Sequence, residues 1–279
     1  MFYPEIDPIL VSIGPIAVRW YGLSYLAGFL ACFYLGKRRA ILYGWSSEEV
    51  SDLVFYGAIG AVLGGRIGFS FFYSFDVLAD DPLFLFRVWE GGMSFHGGLL
   101  GTLLAIFWFG KKTDRNFLEV ADFVAPLVPI GLGFGRLGNF ANTELPGRFT
   151  DSVWGIFYPC NADAIRSINP LCFGEWEEFA RHPSPLYQAF GEGLVLFVII
   201  FLLANYAREK SFRLSGFVSG GFLFFYGLIR CVTEFFRQPD AAIGFVLYDF
   251  LTMGQFLSIP MVIVGMLLMI RARGKVLKG

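Results

Sequence analysis

Residues 130–148 read IGLGFGRLGNFANTELPGR, an arginine inside an apolar helix followed by amides, a carboxylate and a second arginine. An arginine at membrane depth costs between a few and ~10 kcal/mol. A chain keeps such a residue when it faces a partner, a cavity or an anion. Arg136 is therefore the point from which the rest of the sequence is read.

The composition around it is that of a membrane protein. Hydrophobic residues make up 56% of the 279 and charged residues only 16%, against about a quarter charged in a soluble domain. Mean hydropathy is +0.59. There are 34 Phe and 34 Gly; Phe supplies lipid-facing bulk, and Gly lets packed membrane helices approach closely. The net charge of −1 says nothing about nucleic acid, and with no basic tail or stripe no nucleic-acid partner is expected. His96 and His182 are the only histidines, too few for a multi-histidine metal site, and no cofactor motif is present. The N-terminus carries Glu5 and Asp7 but no early Lys or Arg. It lacks the positive region of a cleavable signal peptide, so insertion through the first helix is expected.

A membrane span needs about 20 mostly apolar residues. Seven windows meet this, near 15–36, 50–73, 94–110, 119–138, 186–206, 215–236 and 254–270. The expected fold is all-α and polytopic, with seven transmembrane helices in one integral-membrane domain over 1–279. Lys37, Arg38 and Arg39 follow the first window, and Lys111, Lys112 and Arg115 the third. Arg208, Lys210 and Arg213 follow the fifth, and Arg271, Arg273, Lys275 and Lys278 the seventh. With seven spans these 13 of the 22 basic residues fall on one side. The positive-inside rule then puts the N-terminus outside and the C-terminus in the cytoplasm. The long segment 139–185, with its Trp, Pro and acidic residues, is expected to form an outside cap. Cys160 and Cys172 both lie in it, a placement that permits a disulfide on an oxidising face. Cys32 and Cys231 read as packing residues within spans.

Orientation assigns depth to the remaining polar residues. Tyr21, Arg66, His96, Arg136, Asn139, Arg230 and Glu234 come from five spans and all reach the outer half of the bilayer. Each also has a structural alternative. Arg66, between glycines, can bond backbone carbonyls or pair with an acid. Glu234 stands four residues after Arg230, at ion-pair spacing. Tyr21 can be an interfacial anchor like Trp20, His96 a hydrogen-bonded interfacial histidine, and His182 a residue that positions the outside loop. Taken together, convergent arginines in a low-dielectric pocket favour phosphate, through charge-assisted and often bidentate hydrogen bonds. In the outer half of a bilayer the natural phosphate is a phospholipid headgroup. A neutral imidazole nearby can accept a proton. Ser94 lies near His96 but in no serine-hydrolase pattern. Direct transfer from lipid to an external nucleophile, with arginines stabilising the departing phosphate, fits this set.

The motifs HGGLLG (96–101), GRLGNFANTELPGR (135–148), RHPSPLYQ (181–188) and GLIRCVTEFFRQPD (227–240) resemble those of the bacterial prolipoprotein diacylglyceryl transferases. So do WYGLSYLAG (20–28), LGGRIG (63–68), FRVWEGGMSFHGG (86–98) and MGQFLSIPM (253–261), in the expected order. The resemblance implies a multi-pass enzyme of the bacterial inner membrane whose active site faces the outer leaflet and periplasm, with 139–185 a periplasmic cap. It implies transfer of the sn-1,2-diacylglyceryl group of phosphatidylglycerol to the lipobox cysteine of a preprolipoprotein signal peptide, with a thioether formed and glycerol phosphate released. By the same resemblance Arg136 and Arg230 bind phosphatidylglycerol and act in catalysis with His96, and Tyr21 and Asn139 belong to the lipid site; its depth adds Arg66 to that pocket. Glu144, Gly147, Glu234 and Arg237 support it. One departure stands out: many relatives have glutamate where this chain has Gln188, although Glu192 follows one helical turn later. Two other classes share part of this pattern. A phospholipid or anion transporter can also line an outer cavity with arginines, but inverted repeats or paired broken helices are not evident. An intramembrane protease needs a Ser–His or paired-Asp set, which is missing.

Overall fold

The computed structural model describes residues 1–4, 6–14, 16–209, 216–239, 244–247 and 251–276. Glu5, Lys210, Arg213 and Lys278, used above for topology, lie outside them. The chain divides into two compact units, one of residues 1–31 with 125–279 and one of residues 32–124.

The first unit opens with an antiparallel hairpin, β1 (Ile9–Ile13) and β2 (Ile16–Arg19), which runs into α1 (Trp20–Tyr43). The second unit takes the end of α1, then α2 (Ser47–Phe72), α3 (Phe95–Lys112) and α4 (Phe117–Val124). The chain then returns to the first unit with α5 (Val128–Ala141), α6 (Ser184–Glu209), α7 (Phe217–Thr233) and α8 (Met253–Val276).

Local chemistry explains these elements. A capping box starts α2: Glu49 N–H donates to Ser46 Oγ at 3.0 Å, and Ser46 N–H donates to the Glu49 carboxylate at 2.7 Å. This satisfies two of the amides a helix start leaves open. The glycines at 60, 64 and 68 recur every fourth residue and form one stripe, which packs on Gly97 and Gly101 of α3. A Cβ on Gly64 would stand only 3.0 Å from the Gly101 Cα. Backbones that close leave no room for side chains, as in small-residue packing between membrane helices.

Burial is inverted relative to a soluble protein. Arg66, Arg230, Glu192, Glu234, Gln188 and Gln255 are buried, whereas Phe55, Val62, Phe107, Trp108, Leu194, Leu202, Ile263 and Leu267 are exposed on helix faces. Apolar surface of that extent needs a lipid neighbour rather than water. Among the described residues, three helices are long and apolar enough to cross a membrane: Ser47–Phe72, Ser184–Glu209 and Met253–Arg273. The α4–α5 pair makes a fourth if the two are one broken span. The protein is thus a helical membrane protein with three or four such helices by length and composition. The other expected spans fall short for visible reasons. Trp20–Tyr43 carries polar aromatics and a basic end, Phe95–Lys112 carries His96 and two terminal lysines, and Phe217–Thr233 has only 17 residues.

Residues 142–183 have a small core of their own. Tyr158, Ile156 and Ile165 pack with Tyr3 from the N-terminus, whose hydroxyl donates to the Phe140 carbonyl at 2.7 Å. Burial raises the Tyr3 and Tyr158 phenols above their usual range. Arg181 and Glu177, both almost fully buried, form an ion pair at 2.8 Å, and Arg181 also donates to the Gly147 carbonyl. Cys160 and Cys172 are joined as a disulfide. Alkylation of the unfolded protein should therefore label two of its four cysteines without reductant and all four after reduction, read by intact mass. Four labels without reductant would contradict the bond.

Candidate functional site

The site grows from a close approach of α5 to α6. Gly133 and Gly193 lie back to back, and a Cβ on Gly193 would stand 2.7 Å from the Gly133 Cα. Three residues after Gly133 is Arg136, and just before Gly193 is Glu192. Within α6, residues Ala189–Val195 form a π-helical segment. Such wide turns recur where a helix must re-aim a functional side chain. Here the segment carries Glu192, whose side chain has no exposed surface.

Glu192 joins two arginines. Arg136 donates side-on through Nε and Nη2 to Glu192 Oε2, at 3.1 and 3.0 Å. Arg230 of α7 donates from Nη1 to Glu192 Oε1 at 3.1 Å, and its Nη2 pairs with Glu234 Oε2 at 2.8 Å. The Thr233 hydroxyl reaches the same Glu192 oxygen at 3.4 Å. Two guanidiniums and two carboxylates therefore balance in the interior, as buried charges must. Arg136 keeps 18% of its side-chain surface exposed, against 10% for Arg230, so it is the more open end.

One turn along α5 from Arg136, Asn139 donates to Glu144 Oε2 at 2.6 Å, and Asn142 donates to Oε1 at 3.2 Å. The turn that carries Glu144 has Thr143 at φ 57° and Leu145 at φ 55°, left-handed backbone that costs a non-glycine residue ~1 kcal/mol or more. The Ser184 hydroxyl holds it by donating to the Leu145 carbonyl at 2.6 Å. Backbone bonds then stitch three motifs together: Gly147 N–H to the His182 carbonyl, Arg148 N–H to the Phe236 carbonyl, and Gln238 N–H to the Pro146 carbonyl. Gly147 is pressed between His182 and the Phe236 carbonyl, where any side chain would collide. Arg148 donates to the Arg237 carbonyl at 3.0 Å. His182 packs on Phe236, and burial lowers its pKa, favouring the neutral ring. At the start of α1, Tyr21 packs over Gly138 of α5, bonds Tyr25 hydroxyl to hydroxyl at 3.0 Å, and lies within electrostatic reach of Arg136 and Glu144.

The first unit thus gathers Tyr21, Arg136, Asn139, Glu144, Gly147, Arg230, Glu234 and Arg237 around α5, α6 and α7. His96 and Arg66 belong to the second unit. His96 is exposed on the first turn of α3, beside Phe95. Arg66 is 2% exposed and serves backbone carbonyls: Leu85 at 3.2 Å, Phe84 at 2.5 Å, Gly92 at 3.4 Å and Gly91. Its ring of donors is committed to the 84–92 loop, and its guanidinium lies over the Phe84 ring. These contacts are those of the structural alternative for Arg66, bonds to backbone carbonyls. Glu192 is the residue the motif reading passed over. A carboxylate within LYQAFGEGLVLF has no place in a span unless a cation meets it, and that signal was present in the sequence.

Among the described residues, no cluster of His, Cys, Asp and Glu is arranged to hold a metal ion. A family model described as prolipoprotein diacylglyceryl transferase matches residues 8–271. A protein of Photorhabdus laumondii is 50% identical, over 97% of this chain and 94% of its own length. Another, of Vibrio campbellii, is 52% identical over 97% of this chain and 92% of its own. Both carry the name phosphatidylglycerol–prolipoprotein diacylglyceryl transferase. The loop-anchor role of Arg66 predicts that Arg66→Leu lowers stability by about 3 kcal/mol, since several hydrogen bonds to a charged group are lost. Thermal unfolding in detergent checks this, and an unchanged transition would contradict it.

Proposed function

The chain belongs to the prolipoprotein diacylglyceryl transferase family, and from that premise we propose how its residues carry the reaction. It is a membrane transferase acting on phosphatidylglycerol and prolipoprotein. The acceptor is the thiol of the lipobox cysteine in the signal peptide, and the donor gives its sn-1,2-diacylglyceryl group. The thiolate attacks the glycerol carbon that bears the phosphoester. A carbon–sulfur bond forms, the carbon–oxygen bond breaks, and glycerol phosphate leaves.

The observation that carries this reading is the pair of guanidiniums, Arg136 and Arg230, held within the apolar body of the protein on one carboxylate. Such donors grip a phosphodiester in the ground state and stabilise it more as it departs with added charge. Asn139, oriented by Glu144, and Tyr21 complete the lipid pocket beside Arg136. Glu234 orients Arg230, and Gly147 with Arg237 holds the strand pairing around them. His96 takes the thiol proton. A free cysteine has a pKa of ~8.5, so only a small fraction is thiolate near neutral pH.

This reading goes with seven transmembrane helices in a single catalytic domain, the N-terminus periplasmic and the C-terminus cytoplasmic. The positive-inside distribution of basic residues supports that topology. The site then faces the outer leaflet of the inner membrane, where the acceptor emerges, and 139–185 forms its periplasmic cap.

With phosphatidylglycerol and a lipobox peptide, Arg136→Ala should lower thioether formation by about a hundred- to a thousandfold, given what one donor supplies in a transition state. Arg136→Lys should restore only part of the rate, because a point charge cannot make the side-on pair. Wild-type rates in the alanine variant would sink the assignment. His96→Asn should be slow near neutral pH and recover as pH rises through the thiol pKa. A pH-independent, undiminished rate would remove His96 as the base.

A further inference from the structure

Glu192 and Gln188 stand four residues apart on the buried face of α6, and the function assigned above leaves both without a task. Glu192 takes up donors of Arg136 and Arg230 that an incoming phosphate needs. Gln188 is the opposite case. It is fully buried, yet neither its amide nitrogen nor its amide oxygen has a hydrogen-bond partner among the described residues. An orphaned amide in the interior is costly, and one kept there calls for an explanation.

The charge count connects the two residues. Without ligand, two guanidiniums face two carboxylates. A phosphodiester is one more acceptor for the same guanidinium donors, so it competes with the carboxylates that hold them. Glu234 pairs with one arginine, Arg230, and stays with it. Glu192 bridges both arginines, and it already has Thr233 Oγ1 at 3.4 Å as a donor that is not an arginine. The missing second donor is the unpartnered Gln188 amide, four residues earlier on the same buried stretch of α6.

We propose that Glu192 is an internal counter-anion that pre-pairs Arg136 and Arg230 and yields them to the lipid phosphate, and that Gln188 receives the released carboxylate. Both act through the arginines and are positioning residues. In the ligand-free protein Glu192 keeps two buried cations paired. With lipid bound it rests on Gln188 and Thr233. After transfer it competes with the product phosphate for the same donors and so promotes release. This rests on the transferase reading above and specifies how its anion site is emptied and refilled.

The test is steady-state kinetics in mixed detergent micelles with varied phosphatidylglycerol and a fixed lipobox peptide. Inhibition by added glycerol phosphate and thermal unfolding are measured on the same preparations. Gln188→Leu, of similar size and without the orphaned polar atoms, should unfold no earlier than the wild type. Its KM for phosphatidylglycerol should nevertheless rise about tenfold, the effect of one hydrogen bond to a charged group. Glu192→Gln should bind anions more tightly, with KM for the lipid and the inhibition constant for glycerol phosphate both lower and kcat reduced. An unchanged KM in Gln188→Leu would overturn the role of Gln188. A Glu192→Gln enzyme with KM unchanged or raised would overturn the exchange. If Glu192→Gln fails to fold, the Gln188→Leu comparison decides alone. Failure of the wild type itself to form thioether would count against the transferase reading, not against the exchange.

Discussion

The constraint on which the site depends is the cost of a bare charge inside an apolar protein. Arg136 and Arg230 come from α5 and α7, and the carboxylate of Glu192 on α6, which joins them, makes their joint presence tolerable together with Glu234. Breaking such a buried pair by removing one partner leaves an uncompensated charge, a loss of ~3–5 kcal/mol. That exceeds what one surface ion pair supplies several times over. The three helices are therefore tied to each other at the depth of this residue, and everything nearby follows from that tie.

The backbone is shaped to permit it. Where Gly133 meets Gly193, two main chains come nearer than any side chain would allow, and this approach brings Arg136 onto Glu192. The π-helical turn over Ala189–Val195 aims Glu192 across the bundle. The left-handed residues Thr143 and Leu145 then turn the chain sharply enough for Glu144 to fold back on Asn139 and Asn142. In the second unit the same principle serves helix packing. The glycine stripe of α2 lets α3 approach, and Arg66 uses its donors on loop carbonyls.

Much of this was legible in the chain. Hydropathy marks the helical membrane class, and the i,i+4 spacing of Arg230 and Glu234 gives an ion pair that the structure contains. The placement of Cys160 and Cys172 permits the bond they make. Other features depend on tertiary contacts. LGGRIG looks the same whether Arg66 points to a ligand or to the carbonyls of residues 84–92, because the loop that captures it lies some twenty residues away. Glu192 was overshadowed by Gln188, the motif position that departs from its relatives, although an acid in an apolar stretch is the stronger physical signal. A π turn has no sequence signature of its own, so the meeting of Glu192 with two arginines is visible only in the folded chain.

The proposed phosphate site is the arginine pair. A structure of the protein with phosphatidylglycerol bound tests it most directly. The phosphate should lie within hydrogen-bond distance of both Arg136 and Arg230, with Glu192 no longer bridging them. A lipid phosphate bound elsewhere, with both guanidiniums still on Glu192, would contradict it.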